Sequence, residues 1–248
     1  MPIVLWIKSS GSRLQVGKNE PSQFSFEGND KLLKQLYGLL DIPWIYRLSQ
    51  ILLAPGKPWM MKRVFERAFS RSEGRVLDMG CGPKLVTPEP KGLLVGVDIN
   101  ESFVRKYTGG FLDKNPKSVF HPPDSRNRLG FLASVDNLPF ENGSFDEVRA
   151  VGFLHHLPHE VLVKAIGEMF RCLRKGGKVI VLEDVWPVRG WTRPIAWIIR
   201  RLDRGDYMRS QEELLALFQE AWPGHWEQER YTYTFTGSEL LYLARSKE

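Results

Sequence analysis

The sequence predicts an α/β fold built around a mostly parallel sheet. Five short apolar runs are typical of buried strands, and stretches with helical periodicity separate them. Strands that alternate with helices indicate βαβ units, whose strands run parallel. The five predicted strands cover residues 75–79, 93–98, 129–133, 147–151 and 178–182. Two further strands, at 226–234 and 239–245, are joined by the turn Thr236-Gly237 and are expected to form an antiparallel hairpin.

Apolar residues at helical spacing, together with capping residues, predict the helices. Between the strands these helices cover residues 101–107 and 159–174, with a short and irregular one near Leu85. Before the first strand they cover residues 31–40, 44–53 and 59–69. After the fifth strand, Ser210-Gln211-Glu212-Glu213 has the pattern of a capping box and opens a helix that ends at Ala221.

Residues 1–74 are predicted to form an N-terminal addition to a sheet domain at 75–248. The first 28 residues alternate short apolar runs with turn residues, which is typical of a β-like or flexible arm. The three N-terminal helices form a predicted helical cap after this arm. A segment at 186–209, inserted after the fifth strand, is predicted to form a lid beside the sheet.

The composition excludes several classes of protein. The 35 Lys and Arg residues exceed the 29 Asp and Glu residues, which gives a formal net charge of +6, and 42% hydrophobic residues exclude a mostly disordered chain. Cys81 and Cys172 are too few for a disulfide scaffold and favour a reducing compartment. No run approaches the roughly 20 apolar residues of a membrane span and no signal peptide is recognised, so a cytoplasmic protein is expected.

A glycine turn follows the first predicted strand and marks the expected ligand site. The strand ends in Asp78-Met79-Gly80-Cys81-Gly82, where two glycines spaced by one residue let a ligand approach the backbone closely. The next strand ends at Asp98, about 20 residues after the first glycine, the spacing at which a carboxylate meets ribose hydroxyls. The pattern predicts a nucleoside ligand at the carboxyl ends of the strands.

The segment after this turn argues against a dinucleotide. The dinucleotide fingerprint has a third glycine and a helix whose N-terminus binds pyrophosphate. No third glycine follows Gly82 at the fingerprint spacing, where Lys84 and Leu85 stand, and Pro88 and Pro90 spoil a regular helix. A nucleoside without phosphates therefore fits better, and S-adenosylmethionine is such a ligand.

Five motifs in order give the sequence a resemblance to a known family. They are Leu77-Asp78-Met79-Gly80-Cys81-Gly82, Gly96-Val97-Asp98, Asn137-Leu138-Pro139-Phe140 with Ser144-Phe145-Asp146, Leu154-His155-His156-Leu157 and Leu173-Arg174-Lys175-Gly176-Gly177. Over residues 75–182 the sequence resembles class I S-adenosylmethionine-dependent methyltransferases and, more narrowly, the type 11 methyltransferase domain. This resemblance implies a Rossmann-like fold, a seven-stranded sheet whose last strand is antiparallel, and S-adenosyl-L-methionine as cofactor.

The resemblance also implies how the glycine turn meets the cofactor. Asp78 would orient the turn and approach the methionine amino group. Gly80 and Gly82 would pass below the methionine and ribose. Cys81, between them, belongs to the same cofactor loop and is expected to pack rather than act as a nucleophile.

Further residues are implied at the ribose and the adenine. Asp98 would accept hydrogen bonds from both ribose hydroxyls, and Ile99 would pack on the adenine face. The family usually has an acidic residue for the adenine amino group where this sequence has Ser134, followed by Val135. A serine accepts this hydrogen bond without a charge, and Asp136 is the alternative acceptor.

His155 and His156 are the candidate catalytic residues. They follow the fourth strand and face the expected site, where a histidine can act as general base for an oxygen or nitrogen acceptor. The alternative is a structural role or a role at the edge of the cofactor. The reaction demands little acid–base catalysis, because the sulfonium cofactor already carries an activated methyl group. No metal site is predicted.

The inserted segment has three interpretations, because its aromatic and aliphatic residues alternate with arginines. It could form an amphipathic lid over the pocket. Residues 191–204 could instead lie on an anionic membrane surface. The arginines could also contact RNA phosphates, although no RNA-binding module is recognised.

The sequence therefore predicts S-adenosylmethionine-dependent methyl transfer to a small or lipid-like organic acceptor. The alternative is a non-catalytic module that binds the cofactor or a partner, motivated by Ser134 and Lys84. An RNA methyltransferase is less expected, because the residues after the fourth strand read Gly152-Phe153-Leu154-His155 instead of an Asn-Pro-Pro-Tyr-like motif. The oligomeric state is not predicted.

Overall fold

The computed structural model describes residues 57–123, 126–188, 193–201, 205–233 and 235–248. The predicted arm at 1–28 and the predicted helices at 31–40 and 44–53 lie outside the described residues. The domain boundary at residue 74 therefore stays a prediction. No described helix combines the length and the apolar character that crossing a bilayer requires.

Seven strands form one sheet in the order β3-β2-β1-β4-β5-β7-β6. The strands are β1 (Glu73–Met79), β2 (Lys91–Asp98), β3 (Arg128–Leu132), β4 (Phe145–Val151), β5 (Leu173–Val185), β6 (Glu227–Thr232) and β7 (Glu239–Ser246). β7 runs antiparallel to both of its neighbours, and the other described strand pairs are parallel. This arrangement confirms the predicted fold class.

Helices cover both faces of this sheet. The described helices are α1 (Lys57–Phe69), α2 (Glu101–Tyr107), α3 (His159–Cys172), α4 (Pro194–Arg201) and α5 (Gln211–Ala221). On one face, α1 packs Val64 and Phe69 against Ile180 and Leu182 of β5. On the opposite face, α3 and α5 join their apolar side chains to the largest buried cluster. The predicted capping box at Ser210 is confirmed, since both of its reciprocal hydrogen bonds are present.

The connection from β1 to β2 departs from the prediction. Residues 81–90 form turns, and the short helix predicted near Leu85 is wrong. Pro88 and Pro90 explain the difference, because proline lacks the N–H that a helix interior needs. A crossover between parallel strands usually contains a helix. Between β1 and β2 an irregular segment takes the place of that helix.

The end of α3 also departs from the prediction. The helix predicted at 159–174 ends at Cys172, because Leu173 takes an extended conformation. Leu173 is buried and pairs with Phe145 at the start of β4. As a result, β5 begins before the predicted strand at 178–182 and spans 13 residues.

Candidate active site

The glycine turn after β1 has open space beside its second glycine. Gly80 and Gly82 have φ angles of +65° and +60°, which L side chains rarely adopt. A Cβ atom on Gly80 would lie 2.4 Å from the ring of Phe153, so a larger residue does not fit there. A Cβ atom on Gly82 would meet no atom within 4 Å. A ligand can therefore approach the backbone at Gly82.

Cys81 lies between these glycines with its side chain packed into the protein. It joins a small buried cluster with Val76 and Tyr107. Burial raises the pKa of the Cys81 thiol, and the carboxylates of Asp78 and Asp98 raise it further. The thiol stays protonated, and a protonated buried thiol is a poor nucleophile. Because this side chain is buried, only the backbone of Cys81 is available to contact the cofactor, and that contact stays a prediction.

The carboxylate of Asp98 joins the end of β2 to the glycine turn. Its Oδ2 accepts the N–H of Gly82 at 3.1 Å, and its Oδ1 accepts the N–H of Asn100 at 2.8 Å. Burial raises the pKa of Asp98, and these backbone donors oppose the shift. An ionised carboxylate has about four acceptor positions, so about two remain for a ligand. Two neighbouring hydroxyl groups match that capacity.

The turn at 133–136 lies beside the end of β2. The N–H of Ala133 donates to the carbonyl of Asp98 at 3.1 Å. The side chain of Ile99 is exposed at the same strand end. The structure therefore brings the residues predicted for the ribose and for the adenine to one edge of the sheet.

Within this turn, the three predicted adenine-edge residues differ in what they expose. The hydroxyl of Ser134 hydrogen-bonds the carboxylate of Asp136. The side chain of Val135 is buried in the core and leaves only its backbone for a ligand. Ser134 and Asp136 thus form one polar unit, and their contact with adenine stays a prediction.

A buried polar group lies below the glycine turn. Asp78 accepts the hydroxyl of Tyr107, from α2, at 2.8 Å. Arg149 of β4 is fully buried in register with Asp78. Burial raises the pKa of Asp78, and the positive charge of Arg149 opposes this shift. Neither Tyr107 nor Arg149 was predicted, although an arginine inside an apolar strand run is itself a signal, because charges are rarely buried without a reason.

Tyr107→Phe is expected to destabilise the protein by about 1–3 kcal/mol, because buried Asp78 loses its hydroxyl donor. Urea unfolding followed by circular dichroism measures the change. Tyr231→Phe is the matched control, since the hydroxyl of Tyr231 also donates to a carboxylate, that of Glu229, at a more exposed site. The control is expected to lose about 0.5 kcal/mol or less. Equal losses in the two variants would contradict the buried hydrogen bond.

His155 follows β4 and has its ring fixed by a buried glutamate. Its Nδ1 lies 2.5 Å from Oε1 of Glu183, near the end of β5. The second oxygen of Glu183 accepts the N–H of Leu154 at 2.7 Å. Both His155 and Glu183 are buried, whereas His156 is exposed and its ring is tilted against that of His155, with ring centroids 4.2 Å apart. His155 therefore has a carboxylate partner of the kind that orients a general base.

The inserted segment reaches back to the same histidine. The N–H of Tyr207 donates to the carbonyl of His155 at 3.0 Å. A Cβ atom on Gly205 would lie 2.1 Å from the His155 ring, so the backbone at Gly205 packs directly against the imidazole. Arg209 donates to carbonyls at both ends of the turn that carries His155. These contacts fix residues 205–209 beside the turn that carries His155, and the lid at 186–209 stays a prediction.

Comparison with known proteins agrees with this geometry. Residues 77–181 match the family model of a methyltransferase domain. The ubiquinone/menaquinone biosynthesis C-methyltransferase UbiE of Burkholderia mallei is 30% identical over 170 residues, which cover 64% of this chain and 65% of the relative's length. These matches identify residues 77–181 as a methyltransferase domain, and the chain spans slightly less than two thirds of the relative's length.

Solved structures share the fold of this methyltransferase domain. The geranyl diphosphate C-methyltransferase of Streptomyces coelicolor A3(2) matches with a TM-score of 0.56 at 11% identity, over 77% of each chain. The phosphoethanolamine N-methyltransferase 2 of Haemonchus contortus matches with a TM-score of 0.54 at 14% identity, over 85% of this chain and 60% of the other. At these identities the likeness concerns the fold alone.

The residues present fit S-adenosylmethionine, the cofactor that the sequence resemblance implies. The open backbone at Gly82 leaves room for the methionine and ribose. The remaining acceptor positions of Asp98 match two ribose hydroxyls. The exposed side chain of Ile99 offers an apolar surface to the adenine ring.

Proposed function

We propose that this chain transfers the methyl group of S-adenosylmethionine to a small or lipid-like organic acceptor. The proposal rests on one observation: Gly82, Asp98 and the turn that carries His155 meet at one edge of the sheet. Gly82 and Asp98 form a nucleoside cradle. The ring of Phe153 packs on Gly80, which brings the turn that carries His155 to the same cradle.

In this proposal each residue at the edge contacts a defined part of the cofactor. Asp98 binds the ribose hydroxyls, and Ile99 packs on the adenine. Ser134 and Asp136 accept hydrogen bonds from the adenine amino group. Asp78 orients the glycine turn and attracts the methionine amino group, with its own position set by the hydroxyl of Tyr107.

The chain itself contributes alignment and proton transfer. When bound, the cofactor supplies a methyl group that is activated on a sulfonium. The site holds the acceptor in line with that methyl group and excludes water. If Nδ1–H of His155 donates to Glu183, Nε2 is the basic nitrogen that accepts the acceptor's proton. The Glu183 carboxylate then stabilises the imidazolium, as in other histidine–carboxylate pairs.

The acceptor class is supported by the names of related proteins. UbiE is named for ubiquinone and menaquinone biosynthesis, and the Streptomyces C-methyltransferase was solved with geranyl diphosphate. These molecules are organic compounds with apolar parts. They favour a small or lipid-like acceptor over RNA or protein.

Transfer of label from methyl-labelled S-adenosylmethionine into a fractionated cell extract tests the proposal. Label is expected in the lipid or small-molecule fraction, and Asp98→Ala is expected to reduce it strongly, because the cofactor binds less tightly. Label in the RNA fraction would contradict the proposal and favour an RNA methyltransferase. Binding of S-adenosylhomocysteine without label in any fraction would favour the non-catalytic alternative.

A further inference from the structure

Helix α4 buries one of its two arginines and exposes two of its three isoleucines. Arg200 is 3% exposed, and its guanidinium pairs with Asp184 and donates to the carbonyl of Glu239 at 2.9 Å. Ile195 and Ile198 are 48% and 49% exposed. A helix that packs only for folding buries its isoleucines and exposes its arginines. The inverted orientation of α4 therefore indicates that its outer face serves another contact.

Neighbouring residues enlarge this exposed apolar surface. Trp197 is 44% exposed, and its ring lies 6.2 Å from that of Trp186. The side chain of Arg193, just before α4, packs on Gly237 in the turn between β6 and β7. The same turn carries Phe235, which is 68% exposed. Ile195, Trp197, Ile198 and Phe235 are called the α4 patch.

The α4 patch lies at the functional edge of the sheet, and three of its four residues belong to a basic segment. Asp184, which holds α4, is at the carboxyl end of β5, and the glycine turn follows the carboxyl end of β1. The sequence from 186 to 209 has six arginines against two aspartates. Three of these arginines, Arg193, Arg200 and Arg209, bond to groups of the protein itself. Arg201, in the last turn of α4, is exposed. Tryptophan and isoleucine beside arginine are the chemistry of helices that lie on anionic lipid.

We propose that the α4 patch docks this chain on the surface of an anionic lipid bilayer. A second protein copy fits this surface less well, because stable protein interfaces bury at least about 1,000 Å². α4 has eight residues and a length of about 12 Å. Shallow insertion into lipid needs only a few apolar side chains with cations beside them. The docking assay contains neither cofactor nor acceptor, so its result does not depend on whether the chain transfers methyl groups.

Vesicle flotation of the full chain tests the docking. The chain is expected to float with vesicles that contain phosphatidylglycerol, to bind phosphatidylcholine vesicles less, and to lose binding at high salt. Trp197→Gln is expected to weaken the partition by about tenfold or more, since it removes one inserted aromatic side chain. Trp59→Gln is the matched control, because Trp59 is 65% exposed on α1, outside the patch.

A second variant guards against misfolding of Trp197→Gln. Ile198→Cys provides a single accessible thiol for a polarity-sensitive dye, because Cys81 and Cys172 are both buried. The dye emission is expected to shift to the blue when phosphatidylglycerol vesicles are added. Three results would overturn the proposal: no flotation of the original chain, equal losses in Trp197→Gln and Trp59→Gln, or a dye shift that follows self-association without lipid.

Discussion

Asp98→Ala is expected to weaken the binding of S-adenosylhomocysteine by about 1–3 kcal/mol, which is roughly 5- to 150-fold. The substitution removes the acceptor for two ribose hydroxyls. It also leaves the N–H groups of Gly82 and Asn100 without their carboxylate partner, so the turn below the ligand is less well ordered. Isothermal titration calorimetry with the purified chain measures the effect.

Two further variants separate ligand binding from folding. Asp98→Asn keeps one acceptor oxygen and is expected to lose less affinity than Asp98→Ala. Asp146→Ala is the matched control, because the Asp146 carboxylate also accepts a backbone N–H, that of Arg75 at 2.7 Å, but lies at the start of β4. Its affinity is expected to match that of the original chain. Unchanged affinity in Asp98→Ala would remove Asp98 from the cofactor site.

The glycine turn and Asp98 could be predicted because their signals are local. Two glycines spaced by one residue after a buried strand imply positive φ angles, and both glycines have them. The spacing from Gly80 to Asp98 depends only on one crossover between adjacent parallel strands. The hydrogen bond from Gly82 to Asp98 shows that these two features meet in space.

The partners of the predicted residues could not be predicted in the same way. Tyr107 lies 29 residues after Asp78, and Glu183 lies 28 residues after His155. No periodicity links such pairs, because they meet only when the sheet sets its strand order. A charged residue at the end of an apolar run, such as Glu183, indicates that a buried partner must compensate its charge. The sequence does not show which residue that partner is.

The local errors have an equally physical origin. Proline positions decide the segment near Leu85, where two prolines outweigh a weak helical pattern. Tertiary pairing decides the end of α3, because the buried contact of Leu173 with the sheet outweighs the helical propensity of the residues after Cys172. In both places one strong constraint, a proline or a buried strand contact, outweighs the weak helical propensity of the surrounding residues.

His155→Asn is expected to lower kcat by about 100- to 10,000-fold, the contribution typical of a general base. The asparagine amide keeps an N–H donor near the position of Nδ1, so Glu183 retains its partner. Nε2, the nitrogen proposed to take the proton, is removed. Initial rates of label transfer to the acceptor measure the change, and affinity for S-adenosylhomocysteine is expected to stay within about twofold, because this variant leaves the cradle intact.

The pH profile distinguishes proton transfer from a structural role of His155. In the original chain, kcat/KM is expected to rise as the base loses its proton, and His155→Asn is expected to lose that limb. His156→Asn is the matched control and is expected to keep both kcat and the limb, since His156 is exposed. If His155→Asn lowers the rate but keeps the limb, its ring only supports the turn. The proton must then leave by another group, because the pair formed by His155 and Glu183 no longer explains the pH dependence.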